Sequence, residues 1–202
     1  MTRIPRRRFG ALGLAAALAA ASFPAFAQGQ WPAGKPITWV VPYPPGGTTD
    51  ILGRAIALRL GAALGATVIV DNKPGATGTI GSAFVARAAP DGYTLLGTSI
   101  GPQAIVPNLL AKMQYDPVKA FAPVSLIGTI PHVLIVGAGQ PFRTVADLVA
   151  QAKARPDALS FASGGNGTVL QMQGELLRLQ TGARMTHVPY KGDTPAIQDV
   201  LA

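Results

Sequence analysis

The chain has 202 residues, 17 lysines and arginines against 9 acidic residues, 24 glycines, 18 prolines, two histidines and no cysteine. The lack of cysteine excludes a disulfide scaffold, a thiolate nucleophile and thiolate metal ligation, so stability must come from a packed core. With only His132, His187 and a single glutamate, Glu175, there is little material for metal or acid–base chemistry.

The first 27 residues have the three parts of an export signal in order. Arg3, Arg6, Arg7 and Arg8 form a basic head, Gly10–Ala21 an apolar run, and Ala25-Phe26-Ala27 a small-x-small cleavage site. The run is shorter than the ~20 residues that span a bilayer. Arg6-Arg7-Arg8-Phe9 fits a twin-arginine signal and equally the basic head of an ordinary one. Removing the four signal arginines lowers the formal charge from +8 by four, to +4, spread along Gln28–Ala202. No window interleaves dense lysine and arginine with aromatics, so nucleic acid is not an expected partner. The expected product is soluble and periplasmic.

Ile37–Val41 is a β-branched apolar run, as in a strand buried on both faces. The prolines after it cannot continue a ladder. Thr48, Thr49 or Asp50 then starts a helix with Leu52, Ile56, Leu60 and Leu64 at a four-residue interval. The cycle repeats with a strand at Thr67–Val70, a loop at Asp71–Gly78, a helix at Ile80–Ala89 and a strand at Tyr93–Gly97. Gly101–Tyr115 reads as a short helix interrupted by Pro107, and Val124–Ile127 and His132–Val136 as two further strands. Alternation resumes with a helix at Val145–Lys153, a strand at Leu159–Ala162, a helix at Val169–Gln180, a strand at Met185–Val188 and a helix at Thr194–Ala202. Such alternation predicts an α/β fold built of parallel βαβ units.

In an open parallel sheet, loops leaving the C-terminal strand ends share one edge, where ligands bind. Four such loops are rich in Gly, Pro, Ser or Thr, and each precedes a predicted helix: Pro44–Asp50, Asn72–Gly78, Ser163–Thr168 and Tyr190–Asp193. Helix starts offer unpaired N–H donors and about half a positive charge, and glycine lets a ligand approach that backbone. Anions are the natural guests. Short turns need glycine for their own geometry as well, so any one loop is ambiguous. Neither a phosphate loop nor a dinucleotide fingerprint is present, and no cofactor is expected. Gly97-Thr98-Ser99-Ile100-Gly101 imitates a hydrolase nucleophile elbow, and Asp147 or Asp157 followed by His187 would complete the order of a triad. Against it, Pro102 opens only a broken helix and His187 falls inside a predicted strand.

Seven motifs in order give the chain a resemblance to one family. They are W-P-x-x-K-P-I, V-V-P-Y-P-P-G-G-T-T-D, D-N-K-P-G-A-x-G-x-I-G, A-P-D-G-Y-T-L, Y-D-P-V-K-A-F-A-P-V, F-A-S-G-G-N-G-T and H-V-P-Y-K-G-D-T-P-A-I-Q-D-V-L. The chain resembles the Bug proteins, extracytoplasmic solute receptors of tripartite tricarboxylate transporters. The resemblance implies a type II periplasmic-binding-protein fold, with two Rossmann-like lobes and parallel-rich sheets. It places the first lobe at residues 28–130 and a partial second lobe at 131–202. It further implies capture of a small carboxylate (dicarboxylate, amino acid or aromatic acid) by a monomer that is not an enzyme, with membrane components of the transporter, or a sensor protein, as partner. Carried over by position, first-lobe ligand contacts fall at Pro45, Gly46, Gly47, Thr48, Thr49, Asp50, Gly75, Ala76, Thr77, Gly78 and Ser99. Second-lobe contacts fall at Ser163, Gly164, Gly165, Asn166, Gly167, Thr168, Tyr190, Lys191, Gly192 and Asp193. Ser99 is thereby a hydrogen-bond donor and not a nucleophile, and a secreted serine hydrolase using it stays the alternative. Gln171 stands where histidine is expected in many relatives. Members of the family are longer than this chain, which ends inside a predicted helix, so an incomplete second lobe and hinge are expected.

Overall fold

The computed structural model describes Trp31, Pro32 and residues 34–202; the expected export signal lies outside the described residues. β1 (Ile37–Val41), α1 (Thr48–Leu64), β2 (Val68–Asn72), α2 (Thr79–Ala86) and β3 (Thr94–Leu96) form the first half of the alternation. α3 (Val145–Ala154), β4 (Ser160–Ser163), α4 (Val169–Thr181), β5 (Thr186–Pro189) and α5 (Asp193–Leu201) form the second.

Two parallel sheets result, one ordered β2-β1-β3 and one pairing β4 with β5. β1 is central, which explains its unbroken apolar sequence: Ile37, Val40 and Val41 have no exposed surface and Trp39 retains 8%. Burying each such side chain contributes roughly 1.5–3 kcal/mol. The Trp39 indole sets what α1 can present to the sheet. The buried positions of α1 are Asp50, Gly53 and Ala57, between the larger residues of the expected stripe; a β-carbon on Gly53 would stand 2.9 Å from the indole nitrogen.

Helix ends follow their local chemistry. α1 stops at Gly65, whose φ of 61° is left-handed and whose N–H reaches the Gly61 carbonyl. α3 begins with a capping box: Thr144 Oγ1 accepts from the Asp147 N–H, and the Asp147 carboxylate accepts from the Thr144 N–H at 2.9 Å.

Two expectations fail. Val124–Ile127 and His132–Val136 form no ladder with any described segment; Val124 is 88% and Val133 82% exposed. A β-branched run needs a paired neighbour before it becomes a strand. Gly101–Tyr115 is not an interrupted helix. It makes one wide helical turn at Gly101–Ile105 and one tight turn at Val106–Asn108, since Pro102 and Pro107 remove two amide donors. The Tyr115 hydroxyl then donates to the Pro102 carbonyl at 2.6 Å and folds the irregular chain back. Among the described residues, no helix is long and apolar enough to cross a membrane.

Candidate ligand-binding site

Parallel pairing brings β1, β2 and β3 to a common C-terminal edge, and β4 and β5 to another. The loops leaving these edges meet. The Thr77 hydroxyl, after β2, donates to the Asn166 carbonyl, after β4. A β-carbon on Gly101, after β3, would lie 3.4 Å from the Gly167 carbonyl, and one on Gly192, after β5, 3.3 Å from Pro44 Cγ. All four glycine-rich loops singled out in the sequence thus come together where the two sheets' edges meet.

Tyr43 stands at the centre of the first-sheet side. Its Oη is 2.7 Å from Ser99 Oγ, and β-carbons on Gly78 or Gly101 would come within 3.3 and 3.2 Å of it. Burial pushes the phenol up to about 12, against a partly offsetting hydrogen bond from Ser99, so the hydroxyl stays protonated and able to donate. Sequence reasoning passed over this residue, although it lies inside the V-V-P-Y-P-P-G-G run. No triad assembles on Ser99. His187 Nε2 instead lies 2.6 Å from Ser163 Oγ, its ring stacks on Phe161, and Asp157 pairs with Arg184. Among the described residues, no three His, Cys, Asp or Glu side chains gather as metal ligands.

Three helices begin beside these loops without a side-chain cap: α1 after Gly47, α2 after Gly78 and α5 after Gly192. A start without a side-chain cap leaves amides for another partner to satisfy, although the Thr79 N–H that opens α2 already donates to the Ala76 carbonyl. α4 differs. Thr168 caps it by accepting from the Gln171 N–H, and the Gln171 side chain returns to accept from the Gly167 N–H at 2.7 Å. Gln171 therefore clamps the Gly164–Gly167 loop from behind, a role its mark as a departure from the family pattern did not disclose. Ser163, fully buried, accepts from the Gly165 N–H at 3.1 Å and holds the same loop from below.

The remaining expected contacts divide by exposure. Pro45, Gly46, Thr48, Gly75, Ala76, Ser99, Asn166, Lys191 and Asp193 are exposed, whereas Gly47, Thr49, Thr77, Gly164, Thr168, Tyr190 and Gly192 are half-buried. Gly78, Gly165 and Gly167 are buried backbone. Asp50 turns inward, 3% exposed, where it accepts from Arg54, from Asn72 Nδ2 at 2.9 Å and from the Gly46 N–H at 2.9 Å. The Arg54 guanidinium, ahead of the amide and Asn72, holds its carboxyl down to about 2. Tyr190 donates its hydroxyl to Asp199 on α5.

Two parallel α/β sheets whose glycine-rich edge loops meet have the architecture of the periplasmic-binding-protein fold. Residues 52–202 match the family model described as the tripartite tricarboxylate transporter family receptor. The chain is 38% identical over 190 residues to the protein BugT of Bordetella pertussis, covering 94% of this chain and 56% of that one. Among solved structures, R. palustris Rpa4515 with adipate matches with a TM-score of 0.80 at 38% identity, over 84% of this chain and 56% of the other. MatC (Rpa3494) from Rhodopseudomonas palustris with bound malate matches with a TM-score of 0.75 at 33% identity, over 81% and 56%. The chain belongs to the tripartite tricarboxylate transporter receptor family, the Bug proteins among its relatives. It spans about half the length of the curated relatives it matches.

Proposed function

We propose that this protein captures a small carboxylate in the periplasm, in the gap between its two sheets, and presents it to the membrane components of a tripartite tricarboxylate transporter. The meeting of edge loops from both sheets, joined by the Thr77–Asn166 hydrogen bond, carries this reading. In it, the starts of α1 and α5, which have no side-chain cap, take the carboxylate and the Tyr43–Ser99 hydroxyl pair supplies neutral hydrogen bonds. Asp50 serves by holding the Pro45–Thr49 loop in shape, and residues 28–130 and 131–202 act as the two lobes. Each helix end contributes about 0.3–1 kcal/mol when exposed and up to ~2 when partly buried. Micromolar capture needs roughly 8 kcal/mol, so several ends and hydroxyls must act together. A ligand that touches both sheets also biases any open–closed equilibrium toward the closed form, by no more than its preference for that form. The ligand-bound relatives support the class of guest: one was solved with adipate, another with malate.

A thermal-shift series of the purified protein against mono-, di- and tricarboxylates, amino acids and aromatic acids tests this. Ligand at 100 times its Kd adds about 2.7 kcal/mol of stability, a clear rise in melting temperature. A cooperative melt that no acid in the series moves would refute carboxylate capture.

A further inference from the structure

Resting on the carboxylate-capture reading above, we propose that His187 is a positioning residue for that site: from the neighbouring strand, and through Ser163, it fixes the Gly164–Gly167 loop that meets the first sheet. His187 on β5 lies opposite Phe161 on β4, and their rings stack with centroids 4.8 Å apart and 24° between planes. Phe161 is held in turn by α4, where a β-carbon on Gly174 would collide with its ring. Ser163 follows Phe161 by two residues and shares its face of β4. The imidazole therefore reaches the serine hydroxyl. Its Nε2 stands 2.6 Å from Ser163 Oγ, and Ser163 has no exposed surface.

Ser163 has one proton to give. Its Oγ already accepts from the Gly165 N–H at 3.1 Å, so the proton goes to His187 Nε2 at 2.6 Å or to the Gly165 carbonyl at 3.2 Å. The imidazole nitrogen is nearer, and the carbonyl already accepts from the Thr168 hydroxyl at 2.8 Å. Burial holds His187 below its ordinary range, against the pull of Glu175 on α4. At neutral pH the ring is therefore uncharged, with its own proton on Nδ1 and Nε2 free to accept. The ring sets the direction of the Ser163 hydroxyl, and that hydroxyl sets Gly165. The loop has little else to hold it, since Gly164, Gly165 and Gly167 have no side chains and Gly165 sits at a φ of 127° that other residues rarely adopt. The next carbonyl, that of Asn166, receives the Thr77 hydroxyl. A displaced Gly165 would thus move the acceptor that ties the loops of the two sheets together.

The test joins hydrogen exchange, read by mass spectrometry without added acid, to calorimetric titration with succinate, L-malate and adipate. His187→Phe keeps a ring against Phe161 and removes the nitrogen, whereas His187→Gln keeps a polar group for the hydroxyl. Exchange across residues 163–168 is expected to rise at least about fivefold in His187→Phe, the scale of one lost hydrogen bond, and to stay within about twofold of wild type in His187→Gln. On a Ser163→Ala background, His187→Phe should add nothing further, because the group it acts through is gone. Affinity for whichever acid binds the wild type should follow the same order. If His187→Phe does not fold, His187→Leu, which also lacks a nitrogen, takes its place. An unmoved loop in His187→Phe, a His187→Gln loop as fast as the phenylalanine variant's, or an effect that persists in full beside Ser163→Ala would overturn the positioning role and leave carboxylate capture standing. A wild type that binds none of the three acids while the exchange pattern holds would count against carboxylate capture and leave the link from His187 to the loop intact.

Discussion

The Thr77 hydroxyl donates to the Asn166 carbonyl, tying the turn after β2 of one sheet to the glycine-rich loop after β4 of the other. Thr77 does this from left-handed backbone, φ 55° and ψ 36°, with Ala76 beside it at φ 46°. A β-branched residue stays in that region only where its surroundings over-determine it. The Gly78 N–H on the Gly75 carbonyl closes the turn at 3.0 Å, and the bridge to Asn166 holds its outer side.

Thr77→Val keeps the shape and removes the donor. A neutral hydrogen bond is worth about 1 kcal/mol, so affinity for the carboxylate that most raises the melting temperature should fall roughly fivefold. Titration of both proteins with that acid checks it; equal affinities would mean that the bridge plays no part in the bound form.

Asp50 should make the protein acid-sensitive in a defined window. Its carboxyl is held at about 2, below the ordinary 3.8, chiefly by Arg54, so the folded state binds the proton more weakly than the unfolded chain. That stabilisation is present in full above the ordinary value and disappears as pH falls through about 2. Asp50→Asn should cost about 2 kcal/mol at neutral pH, the scale of hydrogen bonds to a buried charge. Urea unfolding of both proteins between pH 7 and pH 2 should show the difference closing at the acid end.

Gln171 accepts the Gly167 N–H at 2.7 Å, and Gln171→Ala leaves that buried amide without its acceptor. The cost should be about 1–3 kcal/mol, concentrated in the Gly164–Gly167 loop. Hydrogen exchange followed by mass spectrometry should show faster exchange in this loop, with β1 and β2 unchanged.

Gly97 is glycine because the Trp39 indole occupies the place of its side chain: a β-carbon there would collide with the ring nitrogen. Gly97→Ala should destabilise by about 1–3 kcal/mol, the usual cost of overpacking a core. Lowered thermal stability with a shifted tryptophan emission would report it; an unchanged melt would show that β3 can move aside.

The alternation of strands and helices was legible because its causes are local. β1 spans Ile37–Val41 as its β-branched run implied, and α3 starts after Thr144, where a capping residue precedes an apolar period. The motifs that carry the family resemblance are local as well, and the family match agrees with them. The partners of side chains far apart in sequence were not legible. Nothing in the order of residues says that Tyr43 would pair with Ser99, 56 positions on, or that Asp50 would turn inward to Arg54 and Asn72. Val124–Val136 shows the limit from the other side: its composition favours strands, but a strand exists only where another backbone supplies its hydrogen bonds, and none of the described segments does. Composition and period therefore determined which elements form and where their glycine-rich loops lie. Tertiary structure alone decided which loops face one another and which charged groups find partners, because those depend on the pairing of β1 with β2 and β3, and of β4 with β5.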